Sequence, residues 1–152
     1  GHKTDVRLMI LGSENYDFHF LEMVESLGGD IVIDNLCTGA RNFWENTKLE
    51  GDVIADLAAR YLKIAPCAVK DVGNRPGLDH LVELAREYRV QGAILGLQKF
   101  CDSYQFDIPA TQEKLKKAGI PTLFLEFDVT PSLGPLKTRV EAFLEMLRME
   151  SF

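Results

Sequence analysis

The sequence is short of cysteine, of basic charge and of long apolar runs, and each shortage excludes something. Three cysteines in 152 residues, an odd count with no export signal, do not make a disulfide framework. Seventeen lysines and arginines stand against 23 aspartates and glutamates, a formal net charge of −6 at pH 7. Nucleic-acid binding is not expected, because it draws on an excess of cations that displace counterions from phosphates. No apolar stretch approaches the ~18–20 residues that span a bilayer, so a cytoplasmic chain without a membrane partner is expected. Repeats, linkers and low-complexity segments are missing. So are a Walker A loop and a G-x-S-x-G elbow, and Gly92-Ala93-Ile94-Leu95-Gly96 is no dinucleotide fingerprint and falls within a strand pattern.

What is there is globular composition, 46% hydrophobic and 26% charged. A chain of this size buries ~68–70% of its unfolded surface, enough for a core without staples. Gly1-His2 reads as the remnant of a removed affinity tag. Residues 1–152 are expected to form a single α/β domain, the C-terminal domain of a longer subunit.

Val6 to Gly12 is a short apolar run closed by glycine, the pattern of a buried parallel strand. Phe20, Leu21, Val24 and Leu27 then recur at helical spacing, stopped by Gly28-Gly29. Asp30 to Asp34 reads as a second strand, Val90 to Leu97 as a third and Ile120 to Phe127 as a fourth. Between them, Leu49 to Leu62 carries Val53, Ile54, Leu57, Ala58, Tyr61 and Leu62 on one helical face, and Leu78 to Tyr88 is a second amphipathic helix. Pro109 is expected to open the helix that runs to Lys117, Pro131 to Gly134 to form a turn, and Leu136 to Met149 to form the last helix. Fourfold strand–helix alternation predicts a doubly wound, mainly parallel four-stranded sheet with helices on both faces, a Rossmann- or flavodoxin-like sandwich.

Ligands of open parallel sheets bind beyond the carboxyl ends of the strands. Cys37 follows the second strand and Cys101 the third, so both belong to that rim, whereas Cys67 sits in a helix-to-helix connection away from it. A cysteine is most simply a small buried hydrophobe. Here Thr38-Gly39-Ala40-Arg41 offers backbone amides and a guanidinium beside Cys37, and Lys99 and Asp102 flank Cys101. Cations and exposed amides favour thiolate, the form that binds metal. The spacing matches no zinc pattern, and two thiolates do not close a site. Inert, metal-ligating and reactive roles therefore stay open on spacing alone. Glu126 and Asp128 flank the end of the fourth strand, where they cap rim loops or supply a catalytic carboxylate. Ser13 and Glu14 face a ligand or make a turn.

The stretches Asp34-Asn35-Leu36-Cys37-Thr38-Gly39-Ala40-Arg41 and Gln98-Lys99-Phe100-Cys101-Asp102 resemble the 2-hydroxyacyl-CoA dehydratase and benzoyl-CoA reductase family, which includes the D-component of 2-hydroxyglutaryl-CoA dehydratase. Phe106-Asp107, Pro109, Ala118-Gly119-Ile120-Pro121, Leu125-Glu126 and Thr138 to Phe143 agree with it in order. Asn15 to Phe20 and Gly134-Pro135-Leu136 depart from it. The resemblance implies a 4Fe-4S cluster shared with a domain absent from this chain, with Cys101 as a thiolate ligand and Cys37 as a ligand or cluster-lining residue. It also implies an acyl-CoA or aryl-CoA substrate, a homologous second subunit, and an ATP-dependent activator that donates one electron through the cluster. A ketyl radical that expels the hydroxyl, or in benzoyl-CoA reductases a reduced aromatic ring, is the implied chemistry. Thr38, Gly39, Arg41, Lys99, Asp102 and Glu126 are the accompanying rim candidates, Arg41 for an anionic substrate group or a plain salt bridge. The isolated domain is expected to be inactive and colourless. A double-cubane cluster reductase of small molecules and a non-catalytic partner subunit of the same fold are the alternatives.

Overall fold

The first strand, β1 (Val6–Gly12), sends apolar side chains both ways. Val6, Leu8 and Ile10 enter one core while Met9 and Leu11 enter another, an arrangement that demands cover on both faces. The computed structural model describes residues 6–14, 18–44, 46–64, 75–128 and 132–150. In it β1 pairs in parallel with β2 (Gly29–Asn35) on one side and with β3 (Gly92–Gln98) on the other. β4 (Thr122–Phe127) extends the sheet beyond β3. The order β2-β1-β3-β4 is the winding of flavodoxin-like sheets, so the expected fold class is the observed one.

Helices α1 (Phe18–Ser26) and α5 (Leu133–Glu150) cover one face. There Phe20 and Val24 meet Val140, Phe143, Leu144 and Leu147, and the rings of Phe20 and Phe127 stand edge to face with centroids 4.9 Å apart. Helices α3 (Pro76–Glu87) and α4 (Asp102–Lys117) cover the other face through Leu81, Leu84, Ala85, Ile108 and Leu115. No helix among the described residues is long and apolar enough to cross a membrane.

Four expectations need correction or limitation. Pro109 does not open a helix but lies inside α4, which begins at Asp102. The ring removes one helical N–H, yet Pro109 and Gln105 face outward, and burial of Ile108, Thr111 and Leu115 outweighs the lost bond. α5 begins at Leu133, so Gly134 is helical and Pro135 occupies the first turn, where a missing amide costs nothing; Pro131 lies outside the described residues. The helix expected from Leu49 starts instead as α2 (Val53–Lys63), because the Asp52 carboxylate accepts from the amides of Ile54 at 3.0 Å and Ala55 at 3.2 Å. The apolar stripe of α2 is not buried: no residue of this helix is. Cys67 lies outside the described residues.

Candidate functional site

Four parallel strands put all their carboxyl ends on one edge, and the polar residues that matter follow those ends. At the point where the strand order reverses, Gly12 has φ of +133° and a Cβ there would overlap the Gly96 carbonyl oxygen. Only glycine allows this approach of β1 to β3. Ser13 then stitches the two strands: its amide donates to Gly96 O at 3.1 Å and its Oγ accepts from the Gln98 amide at 2.7 Å. Ser13 is buried, so the turn role holds for it, while Glu14 is exposed.

The loop after β2 is organised by Asp34. Its Oδ1 accepts from the amides of Leu36 at 3.2 Å and Ala40 at 2.9 Å, closing the turn and capping a short 3-10 helix, Ala40–Asn42. A Cβ on Gly39 would overlap that carboxylate, so Gly39 serves close packing. Asn42 Nδ2 donates to the Cys37 carbonyl at 2.6 Å. Cys37 is thus carried by a loop stapled from both sides, as a half-buried free thiol. Thr38 is exposed.

After β3 the chain turns through Phe100, which adopts a left-handed φ of +69°. Cys101, also a half-buried free thiol, is the N-cap of α4 and its sulfur makes no capping bond. Its amide donates to Gln98 O at 3.2 Å and its carbonyl accepts from the Gln105 amide at 3.0 Å. The turn is tied to β4 twice. The Lys99 amide donates to Phe127 O at 2.9 Å, and Lys99 Nζ lies 2.8 Å from Asp128 Oδ2. The hydrogen bond from Asp128, then its charge, raise the lysine's pKa. Lys99 is therefore engaged across the sheet edge. Asp102 is exposed in the first turn of α4, and Glu126 is exposed on β4.

Arg41 is the unexpected member. It is only 8% exposed, and its Nη1 donates to Tyr104 Oη at 2.8 Å. Tyr104 stands three positions after Cys101 on α4, and Cys37 is among the groups that raise its ionisation. Arginine can only donate, so the phenol oxygen accepts from Arg41. Burial holds this phenol protonated, well above the ordinary tyrosine range, with the Arg41 charge opposing. Through Tyr104 the Cys37 loop is joined to the helix that begins at Cys101. Sequence spacing points to neither Tyr104 nor Asp34. The available signals were an Asp before a glycine-containing loop and a tyrosine in the first turn after a rim cysteine.

No cluster of three or more His, Cys, Asp or Glu side chains suited to a metal occurs among the described residues. The edge supplies two soft sulfur donors.

Residues 1–147 match the family model described as 2-hydroxyglutaryl-CoA dehydratase, D-component. The chain is 33% identical over 126 residues to the YjiM protein of Escherichia coli (strain K12), which carries the provisional name of a dehydratase subunit. It is 27% identical over 128 residues to the (R)-phenyllactyl-CoA dehydratase beta subunit of Clostridium sporogenes. It is 23% identical over 99 residues to the lactoyl-CoA dehydratase subunit beta of Anaerotignum propionicum. These matches cover 82%, 84% and 64% of this chain but only 32%, 34% and 26% of those relatives. The chain spans about a third of the length of the first two.

Proposed function

The chain belongs to the 2-hydroxyglutaryl-CoA dehydratase D-component family, and on that premise we propose that it is the C-terminal α/β domain of a 2-hydroxyacyl-CoA dehydratase subunit. Its relatives are dehydratase subunits, so the complex it serves is of the lyase type. In this reading Cys101, with Cys37, supplies thiolate ligands to an iron–sulfur cluster completed by residues outside the chain. One observation carries it: two half-buried free thiols follow strand ends on the same sheet edge, their segments joined by the Arg41–Tyr104 hydrogen bond. Thiolates are the usual protein ligands of such clusters, and two of them fit a partial donor set. When bound, the cluster supplies single electrons at low potential to a CoA thioester.

The rest is work for this chain's own groups. Asp34 and Gly39 fix the backbone that presents Cys37. The first amides of α4, a 16-residue helix, place the positive end of its dipole where negative charge is to be held beside Cys101. Tyr104 accepts from Arg41, which is thereby turned inward to brace the Cys37 loop rather than reach outward as a clamp for substrate. Removing water from a 2-hydroxyacyl thioester is the reaction assigned, with a homologous second subunit and an ATP-driven electron donor as partners. The benzoyl-CoA branch is not favoured by any residue on the rim.

The test is an anaerobic iron and sulfide assay on the complete subunit with its partner. Cys101→Ser should lose iron and turnover and melt close to the iron-depleted parent, since loss of a group that binds only the fold removes the stability that binding gave. Cys37→Ser should lose part of the iron. Full iron and turnover in Cys101→Ser would overturn the assignment.

A further inference from the structure

Large apolar side chains are left exposed on several segments of the domain. Among the described residues, all but Met146 and Met149 lie in segments that leave the carboxyl ends of β1, β2 or β3. The densest group is on α2, where Val53, Ile54, Leu57 and Tyr61 recur at helical spacing and are 60%, 75%, 39% and 61% exposed. An isolated helix of 11 residues is marginal in water, and its stability has to come from covering its apolar face. A bare surface of this kind marks an interface.

The helix is nevertheless held in place. Asp52 caps its start, and the Arg60 guanidinium donates to the Asn42 carbonyl. Asn42 in turn donates to the carbonyl of Cys37, so α2 is tied to the loop that carries this thiol. Phe43 and Trp44, 68% and 43% exposed, follow Asn42 directly, and the Trp44 ring lies 6.2 Å from that of Tyr88 at the end of α3. Charges on the polar flank are mixed: Asp56 stands with Arg60 and Lys63. Such a margin selects neither a polyanion nor an anionic bilayer, and an aliphatic centre with one tyrosine and an arginine beside it suits a protein partner.

Which protein follows from length. The chain spans 32% and 34% of two relatives that match most of it, so the larger part of a family subunit is polypeptide outside this domain. A covalently linked domain meets the face at high effective concentration, without the association cost of a separate molecule. We propose that the apolar face of α2 is the docking surface for another domain of the same subunit, which thereby closes over the Cys37 loop. This inference goes beyond cluster ligation and needs no iron at the rim.

Hydrogen exchange read by mass spectrometry tests it, comparing this 152-residue chain with the complete subunit. In the complete subunit the amides of α2 should exchange at least tenfold more slowly than in the chain alone. Leu57→Asp in the complete subunit should return them to fast exchange while β3 keeps its protection, and Leu57→Met should leave them slow. The wild-type comparison decides even if the aspartate variant does not accumulate. Equal exchange in the two proteins would overturn the proposal, whether slow, because the chain covers its own helix, or fast. So would protection that grows with protein concentration, the mark of a second copy, or that requires the partner subunit. Because no arm measures iron, failure here is distinct from failure of the ligand assignment.

Discussion

Tyr104→Phe removes one oxygen atom and keeps the ring, and its cost can be worked from the geometry. The atom removed accepts from Arg41 Nη1 at 2.8 Å, and Arg41 is 8% exposed, so water does not fully replace the lost acceptor. A hydrogen bond to a charged group contributes ~1.5–3 kcal/mol, and a buried donor deprived of its partner costs a similar amount. The variant should therefore lose ~1.5–3 kcal/mol of stability. For a domain of this size that lowers the melting temperature by roughly 3–10 °C. Urea unfolding is the assay, with a lower midpoint and an unchanged slope as the expected pattern. Arg41→Met should be destabilising by itself, and the double variant should cost less than both singles together, since the second change strands nothing new. A Tyr104→Phe protein within ~0.5 kcal/mol of the parent, or singles that simply add, would refute the claim that this bond joins the two rim loops.

The same phenol makes a prediction at alkaline pH. Burial raises its ionisation above the ordinary tyrosine range in the fold, whereas in the unfolded chain it ionises near pH ~10. The unfolded state therefore gives up its proton first, and this part of the stability is complete below about pH 10 and falls as pH rises beyond it. Urea midpoints of the parent and Tyr104→Phe from about pH 9 to about pH 11 should converge as the pH rises; parallel curves would contradict the burial of this group. Gly39→Ala should expel the Asp34 carboxylate from its place, breaking its bonds to Leu36 and Ala40 at ~1.5–3 kcal/mol each at most. Iodoacetamide should then alkylate Cys37 severalfold faster at fixed pH, with Cys101 unchanged as the internal control.

The sheet was legible because each strand is a short apolar run bounded by glycine or polar residues, and a parallel strand buried on both faces needs no subtler signal. With the strands in order, placing Cys37 and Cys101 on one edge followed from connectivity alone. Helix limits were less legible. Pro109 carries a strong local stop signal, yet the burial of Ile108, Thr111 and Leu115 draws the helix through it. α2 misled in the opposite way: its amphipathic spacing is plain, but periodicity says that a face wants cover and not which protein provides it. Tyr104 and Arg41 meet across 63 positions of sequence. No local rule predicts that a charged residue in a glycine-containing loop turns inward, and the finding depends on Tyr104 in the first turn of α4 reaching the loop after β2. Asp34 was within reach, since an Asp opening a tight loop commonly bonds the amides that follow it.

The pairing of α1 with α5 on one face has a consequence for the order in which the chain becomes a fold. Phe20 and Val24 share their core with Val140, Phe143, Leu144 and Leu147, and Arg148 Nη2 donates to the Leu27 carbonyl at 2.8 Å across 121 positions. The opposite face draws on α3 and α4, which are nearer one another along the chain. During synthesis that second face can assemble while the first still lacks one wall, because loop closure between distant segments is the slow step. Leu8 and Ile10 then have only α1 as cover until α5 has left the ribosome. A chain arrested before Leu133 should bind a hydrophobic dye and be cut readily by protease, and a chain extended through Arg148 should do neither. Packing of α5 is the event that completes this core as the polypeptide is made.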